Sequence, residues 1–572
     1  MQSKKGNTTV LTLIIMTVLA AFIAATLTAT TSTGRNAQRS RAYKQAVSAG
    51  LGSFEMAFSA WRTLCRPYWG QPLATSDLSS IPMPSSSNFA GVPGITISNY
   101  SVKATDPQMT PVGGKATMAA GMNSTYSAYS YLASADVSVP VISGTLTMRL
   151  RRIFQQENSS PWNYAIFYND PLEIHPGPPF TVTGWVHTNS TLYTGHNTLT
   201  FAGKTTYTNA WEIGFAPGDG GHSSDTPVSP NYPTNAPPAV ESPHTPFGQD
   251  PSELFDTGDA NANNDSWREI IEIPNSTQTD DMSNGRYYNQ ASVKVLVDAS
   301  NNVKILNQSG TVVTNASTGN NLKIYNAITG ALTTDQTIQD NREQAQVRLV
   351  TLDVSKIKTA VDSNNLPGFN GVIYIADTSA TAGAKRGVRL ANGQELPDGG
   401  LTVATQNPIY IQGNYNTGAG TPPSDSGDPT TPTVTGYVRQ PSVVAADAVN
   451  ILSNAWSDAN STLSLGSRGA ASTTINTAIL AGIVPSGSLG SNYSGGAENF
   501  PRFHEDWSGS VFTYYGSMVQ LFTSQQGVGP WGNGNVYGAP TRKWYFDSTL
   551  LSSPPPGGLV ITNYIKGRWY LQ

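Results

Sequence analysis

The chain of 572 residues has a single cysteine, Cys65, so it can form no internal disulfide and no cysteine-based metal cluster. Charge is also scarce. Asp, Glu, Lys and Arg make up 12% of the residues, about half the usual share of a soluble domain. That scarcity excludes long charged bundles and coiled coils, and a net charge of -4 argues against a nucleic-acid binder. Histidines number only six. No G-x-S-x-G, H-E-x-x-H, Walker A or dinucleotide glycine motif occurs in a suitable context, so composition gives no catalytic signature. Proline is absent from Met1 to Arg66, and nothing in that stretch forces a helix to stop.

What is present is unevenly placed. The first 70 residues carry Lys4, Lys5, Arg35, Arg39, Arg41, Lys44, Arg62 and Arg66 against the single acid Glu55, a balance of +7, so the remainder carries -11. Two parts in two environments are implied. From Val10 to Ala29 the chain is uncharged. Val10, Leu11, Leu13, Ile14, Ile15, Val18, Leu19, Phe22 and Ile23 make a run that spans about 30 Å as a helix, the thickness of a bilayer core. Its threonines can return their hydroxyls to carbonyls one turn back. Beyond it, Tyr43, Val47, Gly50/Leu51, Phe54, Phe58, Trp61 and Cys65 recur at steps of three and four, one face of a continuing helix. Val47, Leu51, Phe54, Phe58 and Trp61 are the expected packing residues, and Pro67 ends the helix. A cleaved secretory signal is the rival reading, but its apolar core is normally shorter.

Lys4-Lys5-Gly6 before a neutral apolar helix resembles the leader of a type IV prepilin, and Gln45-Ala46-Val47-Ser48-Ala49-Gly50-Leu51 is similar to the A-x-x-A-G-L stretch of PilX-type minor pilins. The resemblance implies cleavage between Gly6 and Asn7 by a prepilin peptidase. It also implies insertion in the bacterial inner membrane and partnership with other pilin-like subunits and the pilus assembly machinery. Leu11 stands at the fifth mature position, where pilins usually carry Glu; that departure favours a tip or minor component over a shaft subunit. Four basic residues follow the apolar run and two precede it, so a simple charge count would leave the body in the cytoplasm. The amphipathic continuation and the secreted-looking body favour the opposite orientation.

The body reads as mainly β. Segments 95–103, 126–141 and 144–154 predict a pilin-like sheet over residues 67–160. Short β-prone pieces then follow, with Gly184–Asn189 echoed at Gly203–Asn209, a period of about 20 residues that suits a parallel β-helix. Strands at 371–376, 401–404, 408–413 and 441–452 extend that expectation to a β-helix-like body of residues 161–215 and 366–520. A Pro-rich linker is expected at 216–252, and an α/β insertion at 253–365 with strands at 292–297, 303–306 and 322–328 and a strand-helix-strand unit from Val347 to Ile375. An aromatic-rich cap is expected at 521–572. The stretches 475–485 (helix-like in pattern), 495–502, 507–509, 515–518 and 540–547 resemble a recurrent ending of large pilus-assembly-type proteins from some bacterial lineages, and the stretch 164–178 looks like it belongs to the same group.

Several constellations carry residue types suited to chemistry. His175, His187 and His196 could converge on a metal, though their spacing matches no common ligand pair. Asp256, Asp259, Asn261, Asn263 and Asp265 alternate as in a calcium loop but lack the glycine and the terminal bidentate Glu; a solvated turn is the stronger reading, and no cofactor is otherwise implied. Glu498, Glu505 and Asp506 around His504 could serve glycoside chemistry, or cap loops. Trp507, Tyr514, Tyr515, Trp531, Trp544 and Trp569 could stack on sugars, or fill a core. The expected function is a non-enzymatic, single-pass minor pilin-like component, its body periplasmic or extracellular at a pilus tip or cell surface, for assembly, adhesion or contact with a surface or polysaccharide ligand. The alternative is a secreted or anchored β-helix polysaccharide lyase or hydrolase.

Overall fold

The computed structural model describes residues 7–117, 126–142, 144–177, 179–219, 226–232, 236–246, 248, 263, 266–280, 282–379, 385–418, 438–484, 496–530 and 536–572. The chain divides into two compact units. One comprises residues 1–121, 127–157 and 564–572, the other residues 122–126 and 158–563.

The first unit is built on helix α1, Asn7–Cys65, which is about 90 Å long at 1.5 Å per residue. The threonines of its apolar half bond to the preceding turn, as in Thr12 to Thr8 O (2.7 Å), Thr17 to Leu13 O (2.8 Å) and Thr26 to Phe22 O (2.6 Å). Their hydroxyls thus need no water. The helix stops where Pro67 enters a single 3-10 turn and Trp69 adopts a left-handed backbone with φ 49°. Its second half lies on a four-stranded sheet in the order β1 (Thr96–Ala104), β2 (Tyr126–Val141), β3 (Gly144–Ser159) and the closing strand Ile561–Leu571, whose residues from Tyr564 onward belong to this unit.

The deepest helix positions are Ala42, Ala46, Ala49, Ser53, Phe54, Ala57, Trp61 and Cys65, with Val47, Leu51 and Phe58 half-buried beside them. Tyr43, expected on the packing stripe, is instead exposed. The reason is helix-to-sheet distance. A Cβ on Gly50 would stand 2.9 Å from Leu150 Cδ2, so small residues let the backbone approach and the large tyrosine is turned outward. Trp61 is enclosed by Tyr131, Phe154 and Tyr564 at ring centroid distances of 5.1, 5.5 and 5.3 Å.

In the second unit the expected strands are present but are ordered in space differently from their order in sequence. One twelve-stranded sheet runs Ala239–Val240, Thr205–Tyr207, Trp185–Thr188, Tyr164–Tyr168, Met518–Gln520, Ala478–Ala481, Ser442–Ala446, Leu401–Ala404, Val372–Asp377, Val293–Val297, Val303–Asn307, Val312–Val313. Every neighbouring pair from the first strand through Val293–Val297 is parallel. The late strand Met518–Gln520 therefore stacks on the early strand Tyr164–Tyr168. A six-stranded sheet joins Leu332–Asp340, Ala345–Asp353, Lys385–Ala391, Ile409–Gln412, Val449–Leu452 and Pro501–Phe503. Shorter parallel sets join Thr473–Asn476 with Val511–Gly516 and Thr541–Phe546, Leu172–Ile174 with Leu192–Thr194 and Trp211–Ile213, and Phe180–Val182 with Leu199–Phe201.

All these sheets share one apolar core, to which Ile166, Ile174, Val182, Ile375, Leu390, Ile451, Ile479 and Phe512 contribute. Strands such as Tyr164–Tyr168 and Ser442–Ala446 are buried along their whole length, which suits their near-continuous apolar sequence. The echoed strands pair in parallel at an offset of 19 residues, with Val186, His187 and Thr188 opposite Thr205, Thr206 and Tyr207. Gly203 is required there, because a Cβ would lie 2.0 Å from Gly184 O.

Three local expectations are corrected. Residues 322–328 lie inside helix α2 (Gly319–Ala331) rather than a strand, since Ile324 and Ile328, one turn apart, face the core together. Residues 475–481, helix-like in pattern, form the strands Thr473–Asn476 and Ala478–Ala481, which are buried throughout. The segment 253–365 is not separate from the body: Val293–Val297 and Ala345–Asp353 enter the two large sheets. The strand-helix-strand reading holds, with α3 (Val354–Asp362) between Ala345–Asp353 and Val372–Asp377 and Asp353 capping its start.

Candidate functional site

The most distinctive surface is the first half of α1. From Thr8 to Ala37 every residue is exposed, and Val10, Leu11, Leu13, Ile14, Ile15, Val18, Leu19, Phe22 and Ile23 each leave more than half of their surface uncovered. By length and composition the helix can cross a membrane, a property it shares with signal sequences. A continuous apolar patch of this size is far beyond what a soluble surface ordinarily carries. It can be covered by lipid or by the apolar faces of other helices. The expected cleavage position splits at the edge of the description: Asn7 opens the helix, and Gly6 lies outside the described residues.

In the second unit, side chains from two segments meet at His187, Glu241 and His244. One potential ligand atom from each lies within 4.8 Å of the others. His187 is carried by Trp185–Thr188, and its neighbour Thr206 by the adjacent Thr205–Tyr207. Glu241 and His244 follow Ala239–Val240, the edge strand. His187 Nδ1 lies 2.8 Å from Thr206 Oγ1, and Nε2 2.9 Å from Asn189 Oδ1. Asn189 also clasps the main chain of His244, accepting from its N–H at 2.7 Å and donating to its carbonyl at 2.8 Å. The His187 and His244 rings meet edge to face at 4.2 Å, against Tyr164 and Phe167. Burial, reinforced by His244, pushes His187 down to about 4. His244 is lowered by burial in turn. Burial alone would raise Glu241, but Lys204, 3.1 Å away, overrides it and holds the carboxyl below its usual range. The cluster at neutral pH is thus two neutral imidazoles beside one carboxylate, a donor set suited to a divalent transition ion.

The sequence pointed to His187 but not to its partners. His175 instead meets Phe215 and His196, at ring distances of 4.5 and 6.5 Å, and its N–H donates to Glu498 Oε1 at 3.0 Å. Glu241 and His244 sit in the segment 216–252 expected as a linker, yet Ala239–Val240 pairs with Thr206–Tyr207 as a strand. The only local signal was the E-x-x-H spacing of Glu241 and His244.

The other described candidates are engaged in turns, in the interior or at the surface. Asn263, the one member of the alternating Asp/Asn series that is described, accepts from Asn275 N at 2.6 Å and donates back to its carbonyl at 2.9 Å; Asp256, Asp259, Asn261 and Asp265 lie outside the described residues. Glu505 is buried and accepts from Ser453 N and Oγ at 2.6 and 2.7 Å. Glu498 is equally enclosed, and burial pushes both carboxyls up to about 7. His504 bonds Asn450 Oδ1 at 2.9 Å and is held down to about 4 by burial. Asp506 accepts from Ser508 N at 3.1 Å, closing a turn. Trp507, Tyr514, Tyr515 and Trp544 are buried, Trp569 is exposed, and Trp531 lies outside the described residues.

Two adjoining polar pockets of about 390 and 470 Å³ lie along the six-stranded sheet and share Ala391, Asn392 and Gln412. Comparison with family models, with curated proteins and with solved structures gives no match to this chain.

Proposed function

We propose that the chain is a non-enzymatic, single-pass structural component of a type IV pilus or pseudopilus-type assembly, a PilX-like minor pilin with an enlarged β-rich body. The observation that carries this reading is one uninterrupted helix whose first half is wholly uncovered and apolar while its second half is docked on a sheet. Lipid of the bacterial inner membrane holds the uncovered half before assembly, and apolar faces of neighbouring pilin-like helices replace lipid afterwards. A prepilin peptidase cuts between Gly6 and Asn7. The body stands in the periplasm or outside the cell, at a pilus tip or cell surface. Its ordered parallel strands support a β-helix-like architecture, and the amide-lined pockets with Asn392, Gln394, Gln412, Asn414 and Asn454 suit hydroxyl-rich surface ligands.

N-terminal sequencing of the mature protein tests this directly. A first residue of Asn7, shifting to Met1 in cells without the peptidase, is expected. A first residue near Thr30, with the apolar run gone, sinks the proposal. The polar pockets also favour a second reading, a polysaccharide lyase or hydrolase. Asp458 lines the larger pocket beside Arg389, 2.7 Å away, and new reducing ends released from polymeric uronates, lost on Asp458→Asn, would replace the structural reading.

A further inference from the structure

We propose that His187, Glu241 and His244 form a binding site for one divalent transition-metal ion of the zinc class, pinning the edge strand Ala239–Val240 to the strands beneath it. The inference is independent of the pilin reading and of its test.

Three observations carry it. The first is convergence: one imidazole from the strand Trp185–Thr188 and a carboxylate and a second imidazole from the segment after Ala239–Val240 bring ligand atoms within 4.8 Å of one another. Four-coordinate zinc bonds to imidazole nitrogen and carboxylate oxygen at about 2.0–2.2 Å, so ligand atoms around one ion stand some 3–4 Å apart. His244 Nε2 and Glu241 Oε2 are separated by 3.8 Å, too far to bond each other and close enough to share an ion.

The second is an unpartnered atom. His244 Nε2 is covered from solvent and has no hydrogen-bond partner among the described residues. A buried polar atom left without a partner costs on the order of 1–3 kcal/mol, and a metal would satisfy it.

The third is the surrounding support. Asn189 is oriented by both main-chain groups of His244, so its Oδ1 must face His187 Nε2 and Nε2 must carry the proton. That leaves the His187 lone pair on Nδ1, where the Thr206 hydroxyl now donates. A single asparagine thus positions both histidines and fixes the tautomer of one, as partners of metal-binding histidines do. The half-exposed rim at Glu241 leaves room for a water to complete the shell.

Calcium is a poor occupant, because it takes six or more oxygen ligands and this site offers one carboxylate. Lys204 is the competitor. Its ammonium sits 3.1 and 3.2 Å from the two Glu241 oxygens, and the ion must displace it. Removing Lys204 should therefore tighten binding.

The test uses the untagged full chain in detergent, stripped of metal and titrated with zinc chloride by calorimetry. One saturable zinc site is expected, with no response to calcium. Affinity should fall at least tenfold in His244→Ala and in Glu241→Gln, rise several-fold in Lys204→Ala, and stay unchanged in His196→Ala. Hydrogen exchange of the peptide spanning Ala239–His244 should slow when zinc is added. No saturable binding, or binding undiminished in both His244→Ala and Glu241→Gln, overturns the proposal. If those variants do not fold, X-ray absorption at the zinc edge of the wild-type complex decides: two imidazoles with oxygen support the site, and one imidazole or none overturns it.

Discussion

The two units bury different things. In the first, the core beneath α1 is alanine and aromatic, and its ion pairs reach the surface: Glu55 meets Arg152 and Lys566 at 2.9 and 2.7 Å with its side chain half exposed, and Asp136, itself buried, meets the half-exposed Arg149 at 2.6 Å. In the second, charge goes inside. Arg286 is fully buried between Glu269 and Asp280. Asp447, equally buried, accepts from three successive backbone N–H groups, Gln525 (2.7 Å), Gln526 (2.9 Å) and Gly527 (2.7 Å), as well as from Arg268 at 3.2 Å. A helix on a sheet needs only one packed face. A stack of short parallel strands must turn its chain many times, and each turn leaves backbone groups that need a partner. Buried carboxylates and guanidinium groups supply those partners in the second unit.

The comparison breaks hardest at Trp61. Trp61→Ala removes the ring enclosed by Tyr131, Phe154 and Tyr564 and leaves a cavity between helix and sheet, at a cost of about 4 kcal/mol. Hydrogen exchange followed by mass spectrometry should show faster exchange in β1, β2 and β3 and little change across residues 372–452. Equal loss in both units would mean that they do not unfold separately. Asp447→Ala is the matching lesion in the second unit. It leaves three N–H groups and Arg268 short of a partner, with an expected loss of about 3 kcal/mol in urea titration. A loss below about 1 kcal/mol would show that water replaces the carboxylate and that the buried charge is not structural.

A smaller effect separates the units by pH. Burial raises Glu498 to about 7 from an ordinary 4.5, so its native form holds a proton that the unfolded chain releases. A carboxyl raised in this way favours the fold below the unfolded value and loses that contribution as pH rises through the folded one. Its part of the stability therefore falls between pH 4.5 and 7, by an amount on the order of 1–3 kcal/mol. In the first unit Asp136 has the opposite sign: Arg149 beside it lowers its carboxyl to about 2, so its contribution is complete above the unfolded value of 3.8 and is lost as pH falls toward 2. Glu498→Gln should flatten the neutral limb of the second unit's pH-stability curve and leave the acid limb of the first unit unchanged. An unaltered slope in Glu498→Gln would remove Glu498 as its source.

How much of this was legible in the sequence follows from where each signal lies. The long helix was legible because an absence of proline and a helical period are local properties, as were β2, observed at the expected Tyr126–Val141, and the strand-helix-strand of Ala345–Asp377. The period of large apolar residues places Tyr43 on the packing face of α1, but the buried positions there are Ala42, Ala46 and Ala49. It is the alanines that set the distance to the sheet. The pairing of Met518–Gln520 with Tyr164–Tyr168 had no local signal, since parallel partners some 350 residues apart share no period. The His187, Glu241 and His244 cluster was half visible for the same reason. His187 stood in a strand-like echo, while Glu241 and His244 lay in a proline-rich stretch where the strand Ala239–Val240 becomes evident only against Thr206–Tyr207.

The smallest effect is expected at the rim of the first unit, and it sharpens the contrast with Asp447. Lys566 donates to Glu55 Oε2 at 2.7 Å, but their side chains remain 39% and 50% exposed. Water can replace each partner, the long lysine gives up rotamer freedom to hold the contact, and salt screens what attraction remains. Arg152 also stays on Glu55 when Lys566 is removed, so no charge is left alone. Lys566→Ala should therefore cost about 0.5 kcal/mol at low salt and less at high salt, read from urea midpoints at two ionic strengths. A loss approaching that of Asp447→Ala, or one insensitive to salt, would show that the first unit also depends on its ion pairs and that the two units are not built on different principles.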